Sequence, residues 1–118
     1  MTLDCASPLR RVFHDQVGLR QQARRLQANV VHYPANVGSL ARMRNTVITV
    51  HDLSFLRNPE WYGRERAAYY RFAAGRSARI AARLIADSEA TAADLEEFLR
   101  IPSGRIDVIP LGVSDAFR

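Results

Sequence analysis

Four short runs constrain this chain more than anything else in it. "NVVHY" (Asn29 to Tyr33), "TVITV" (Thr46 to Val50), "RLIAD" (Arg83 to Asp87) and "RIDVIPLG" (Arg105 to Gly112) are rich in valine, isoleucine and leucine. Such near-continuous apolar runs read as strands buried on both faces, and strands alternating with helices read as a parallel sheet. The intervening segments agree. A helix is expected from Asp15, with Asp15 as its cap and Leu19, Ala23 and Leu26 on one face. A longer one is expected from Arg64 to Arg83. Its stripe of Tyr70, Ala74, Ser77, Ala78 and Ala81 is small enough to pack closely on a sheet, while Arg71, Arg76, Arg79 and Arg83 fall opposite, with Phe72 exposed among them. Ser88 is expected to cap a third helix, Glu89 to Arg100, with Glu89 well placed in the first turn. The fold class is therefore α/β, with a short, mostly parallel sheet of about four strands.

In a parallel sheet the ligand sits beyond the carboxyl ends of the strands. His32-Tyr33, His51-Asp52, Asp87-Ser88-Glu89 and Leu111-Gly112 stand at those four ends. Separate segments thus bring imidazoles, carboxylates, a hydroxyl and exposed backbone to one border.

Each of these groups also has a plainer account. His51 is equally readable as a satisfied histidine at a strand end, and its company along the edge is what favours a ligand role. Asp52 is expected to orient the loop; neighbours in extended chain point opposite ways, which argues against an Asp52–His51 pair. His32 reads slightly better as structural. Ser88 is first a helix cap, yet the amino terminus it caps is also an anion site, and the two roles are compatible. Phe55, Trp61, Tyr62, Tyr69 and Tyr70 surround a basic loop and helix, where packing accounts for Tyr70 and some of the others.

Composition narrows the function classes. The 118 residues support one small domain, and 47% apolar with 25% charged residues is an ordinary globular balance. All seventeen basic residues are arginine and the net charge is +5. The arginines are spread out, without a dense run or interleaved stacking aromatics, so nucleic acid is not the expected partner. A positive face that attracts phosphate-bearing ligands or an anionic membrane is. "MTLDCASPLRR" lacks a signal core, and the lone Cys5 excludes an intramolecular disulfide, which suits the cytoplasm. There is no P-loop, GxGxxG, CxxC, H-E-x-x-H or GxSxG pattern, and neither a metal nor a cofactor is expected.

Four ordered blocks carry a family resemblance: "ANVVHYPANVGSL", "TVITVHDLSFLRNPEWY", "RSARIAARLIADSEATAADL" and "IPSGRIDVIPLGVSDAFR". Over about Gln16 to Arg118 they resemble the acceptor-side amino-terminal domain of family 4 retaining glycosyltransferases, and look most like the bacterial mannosyltransferase-like branch. The resemblance implies a Rossmann-like three-layer domain of a GT-B enzyme. Such an enzyme transfers a sugar from a nucleotide-sugar donor to a carbohydrate or lipid-linked acceptor without metal. It implies His51 near the donor sugar and its reacting centre. Substrate contacts are expected from Asp52, Ser88, Glu89, His32 and Asn36, and the loop Leu53 to Tyr62 is expected to shape the acceptor side. "PLGV" (Pro110 to Val113) is expected to lead toward a hinge.

The chain departs from that pattern in two places. Residues 1–15 supply no glycine-rich loop, and the second, donor-gripping domain is absent from the 118 residues. The expectation is a single partial domain, with residues 1–14 an irregular lead-in and residues 110–118 the start of a linker, unable to catalyse transfer alone. An unpaired first strand would favour self-association through its edge. Peripheral contact at the inner face of the membrane is a further expectation. The rival reading is a non-catalytic binding or interaction module that keeps the frame and docks a partner through that edge or the Phe72/Arg76/Arg79 face.

Overall fold

The computed structural model describes residue 12 and residues 14–117. The irregular lead-in expected over residues 1–14, and Cys5 within it, fall almost wholly outside the described residues. Four strands, β1 (Val31–Tyr33), β2 (Thr46–Val50), β3 (Arg83–Ala86) and β4 (Ile106–Val108), form one sheet in the order β1-β2-β3-β4, and every pairing is parallel. Helix α1 spans Leu19–Arg25, α2 Ser54–Arg57, α3 Arg64–Ile80 and α4 Glu89–Leu99. The α/β class and the parallel four-stranded sheet are those expected from the sequence.

Register explains the core. Tyr33, Ile48, Leu84 and Ile106 stand side by side across the four strands, and Val50, Ala86 and Val108 form the next row. Strand side chains alternate between faces, so these rows lie on one face. Tyr33, Ile48, Val50, Leu84 and Ala86 share a single buried cluster with Ala74, Ala78 and Ala81 from α3 and its end and with Ala92, Leu95 and Leu99 from α4. Both long helices therefore cover that face. The other face carries His32, Val47, Thr49, Arg83, Ile85 and Asp107, of which none is fully buried, so the burial of both faces expected from the apolar runs is met on one face only among the described residues. There Arg83 makes a forked ion pair with Asp107, Nη2 to Oδ1 at 2.7 Å and Nε to Oδ2 at 3.0 Å.

Helix α3 packs through a face of very small residues: Ala67, Ala73, Ala74, Gly75, Ser77 and Ala78 are all buried. The stripe read from the sequence is this face, with Tyr70 at its half-buried margin. The helix stops at Ile80, short of the expected Arg83, because Ala81 turns extended and the chain enters β3. The Arg105 guanidinium donates to the carbonyls of Ala78 and Ala81, satisfying acceptors that the helix end leaves open. Helix α4 ends at Leu99, where Arg100 takes the left-handed conformation (φ 56°) that commonly closes a helix.

Three expectations need correction. The first helix is shorter than its period suggested: a π-helical turn, His14–Gly18, precedes α1, so Asp15 lies inside that turn and Gly18, not Asp15, holds the cap position, and Leu26 is 79% exposed rather than on a buried stripe. Its chain has already left the helix, since Gln27 adopts φ 51°. The first strand begins at Val31 rather than Asn29, leaving Val30 exposed. The fourth covers only Ile106–Val108, so Leu111 and Gly112 are exposed coil rather than part of the strand-end row.

Gly38, in the β1–β2 loop, lies against β2. A Cβ there would stand 2.6 Å from Ile48 Cδ1 and 2.8 Å from Cγ1, and Ile48 is itself 1% exposed and cannot retreat. Gly38→Ala is expected to destabilise by about 1–3 kcal/mol through overpacking, read as a lower urea midpoint with an unchanged m-value.

Candidate active site

The parallel register carries straight into the loops. Val50 pairs with Ala86, so the next residues, His51 and Asp87, emerge side by side from β2 and β3. His51 Nδ1 lies 3.1 Å from Asp87 Oδ2, and His51 Nε2 lies 2.7 Å from the Pro34 carbonyl that follows β1. Three strand ends thus meet on one imidazole.

The protonation state follows from the partners. A carboxylate and a carbonyl both accept, whereas neutral imidazole has one N–H to give. Satisfying both at once requires the imidazolium. The Asp87 hydrogen bond, seconded by the Pro34 carbonyl, accordingly raises the His51 pKa above its ordinary 6.5. Asp87 is 14% exposed and its other oxygen accepts from Thr91 Oγ1 at 3.5 Å, while the His51 ring is 42% exposed.

The backbone of His51 is held equally closely. Its N–H donates to Asn36 Oδ1 at 2.8 Å, and its carbonyl accepts from Thr91 Oγ1 at 3.0 Å. Asn36 takes φ 61°, a region asparagine tolerates better than most residues, and its own N–H bonds to Thr49 O at 2.9 Å. Ser88 caps α4: its Oγ accepts from Thr91 N at 3.1 Å and lies 3.0 Å from Thr91 Oγ1. A cap of this kind contributes about 1 kcal/mol. Through Thr91 it also fixes the helix amino terminus against His51.

Asp52 turns away from His51, as expected for adjacent residues. Its Oδ1 accepts from Ser54 Oγ at 2.5 Å and Ser54 N at 2.9 Å, and these bonds hold its carboxyl below the ordinary range. Ser54 Oγ is also 2.6 Å from Tyr62 OH. That chain leads to an open groove of about 600 Å³ lined by Phe55, Leu56, Tyr62, Gly63, Arg64 and Arg71. The segment expected as a loop is built of α2 and a 3₁₀ turn, Pro59–Trp61.

Of the residues singled out from sequence, His51, Asn36 and Ser88 are drawn into one network, with Asp52 beside it and Glu89 exposed in the first turn of α4. His32 is not part of it. Its Nε2 lies 2.7 Å from Thr49 Oγ1 on the less buried sheet face. Sequence reasoning missed Asp87, Pro34 and Thr91 as partners. Asp87 was findable, because strands that end in register deliver their next residues as neighbours.

A family model described as Glycosyltransferase Family 4 matches residues 5–117. No curated protein and no solved structure matches the chain. No helix among the described residues is long and apolar enough to cross a membrane.

Proposed function

Because the chain belongs to glycosyltransferase family 4, we propose that it forms the acceptor-side wall of a GT-B enzyme that transfers a sugar, mannose-like, from a nucleotide-sugar donor with retention of configuration. The observation that carries this reading is the His51 clamp at the carboxyl edge of a parallel sheet, an imidazole held between the Asp87 carboxylate and the Pro34 carbonyl. In such a transfer the bond from the anomeric carbon to the diphosphate breaks and a bond to an acceptor hydroxyl oxygen forms, its proton passing to the departing diphosphate. Negative charge builds on the departing diphosphate. A preorganised cation at the edge stabilises that charge, and His51 gains a free Nε2–H for a ligand oxygen once it releases Pro34. Ser88 and the amino terminus of α4 add donors for anionic oxygens. Asp52 and Glu89 offer carboxylates, and Asn36 its amide, to sugar hydroxyls; His32 has the weakest claim, set beside Val47, four residues short of His51. The reading uses no metal or cofactor.

The groove beside Tyr62 is the acceptor side in this reading, and Arg64 and Arg71 on its rim favour a carbohydrate or lipid-linked acceptor that carries negative charge. Transfer requires exclusion of water, and the open His51 edge needs a second, donor-holding wall. Residues 1–118 therefore act as a partial domain that is inactive alone, with residues 110–118 leading toward that wall. Work at the cytoplasmic face of the membrane, and pairing of two copies through β1 at the end of the sheet, complete the proposal.

One observation favours a second reading. Both His51 nitrogens are already engaged by protein acceptors, as in a binding module where the network is purely structural. Titration of the chain with purine and pyrimidine nucleotide sugars, followed by His51 ring and Ser88 amide resonances, separates the two. The transfer reading expects both to move with at least one donor. If neither moves with any donor, the module is the better account.

A further inference from the structure

At the opposite, amino-terminal end of the sheet lies a second groove of about 460 Å³, between α1 and the approach to β2. Four of its lining residues are arginines: Arg20 and Arg24 from α1, and Arg42 and Arg44 from the loop before β2. Val31, the first residue of β1, is part of its floor. This places it across the sheet from His51, outside the machinery described above.

The electrostatics of this groove are unbalanced. Among the described residues, the ion pairs use Arg57 with Asp94 and Arg83 with Asp107, and none of the four groove arginines is paired with a carboxylate. Arg20 Nε is buried and has no hydrogen-bond partner. Arg20 and Arg24 stand four residues apart on one helix, a spacing at which like charges repel. Gln27, a further donor and acceptor, lies on the same wall. Side chains that gather charge at a cost to the fold, and leave a guanidinium donor unsatisfied, match a site completed by an anion. Arginine's planar fork suits phosphate oxygens in particular.

We propose that this groove binds a phosphoryl group, presented either by a soluble phosphate ester or by a phospholipid headgroup. Leu26 and Val30, 79% and 57% exposed, are chain neighbours of the lining residues Gln27 and Val31 and would supply apolar contact in the headgroup case. The site is independent of the sugar-transfer edge, and its test does not rely on transfer.

The test uses the full chain, the double variant Arg24→Gln/Arg44→Gln, and the charge-matched control Arg66→Gln/Arg100→Gln. All four positions are exposed, and each pair removes the same net charge. One arm titrates inorganic pyrophosphate at constant ionic strength, reading thermal stabilisation. The other measures partition onto phosphatidylglycerol vesicles against phosphatidylcholine vesicles. In at least one arm the wild type and the control are expected to bind alike, with Arg24→Gln/Arg44→Gln at least about tenfold weaker. Pyrophosphate alone identifies a soluble ligand, and anionic vesicles alone identify a headgroup. Equal weakening of the two double variants, or no binding in either arm, overturns the proposal.

Discussion

Leu84→Ala is expected to cost the domain about 2–5 kcal/mol, enough to leave a marginally stable small domain largely unfolded at moderate temperature. Leu84 is fully buried at the centre of the sheet, paired to Ile48 on one side and Ile106 on the other. Both long helices press on this row, and the packing face of α3 is mostly alanine. Alanine side chains cannot rotate into a hole, so the vacated volume stays as a cavity. Chemical denaturation read by circular dichroism gives the size of the loss. A change below about 1 kcal/mol would mean that the row is not the shared floor of α3 and α4.

His51→Ala in the intact enzyme is expected to lower kcat by about a hundredfold, the scale of losing one preorganised electrostatic contact to developing charge. The clamp's contribution to the fold is read separately, from the pH dependence of stability. Because the His51 pKa is raised in the folded chain, the clamp's stabilisation is fully present below the ordinary value of 6.5 and is lost as pH rises through the folded value. Asp52 has the opposite sign: its contribution is present above the ordinary 3.8 and is lost as pH falls through its lowered value. Asp87→Asn removes the main cause of the His51 shift, so the alkaline decline in stability moves to lower pH while the Asp52 limb stays in place.

Much of this architecture was legible in the sequence. Valine- and isoleucine-rich runs separated by helical periods could be satisfied only by a parallel α/β sheet, and the small-residue stripe of the long helix named its packing face. Ends of elements were less legible. Leu26 fits an apolar stripe by spacing, yet Gln27 turns the chain out of the helix, and no residue type at that point announces a left-handed backbone. The strand-end rule found His51 and Ser88, whereas Asn36 entered only with the family resemblance. The rule placed His32 with them because it counts a strand's last residues together, whereas the register sets His32 beside Val47, four residues short of His51. The rule also overlooked Thr91, one turn inside α4, whose hydroxyl reaches back to the His51 carbonyl and whose threonine character alone gave no signal.

The account rests on His51 being an imidazolium held between the Asp87 carboxylate and the Pro34 carbonyl. Ring nitrogen-15 shifts of His51 followed through a pH titration of the wild type and Asp87→Asn test it most directly. The wild type should keep both ring nitrogens protonated above the ordinary histidine value, and the variant should deprotonate at lower pH. A wild-type ring that titrates at or below the ordinary value, unchanged by Asp87→Asn, would contradict the clamp.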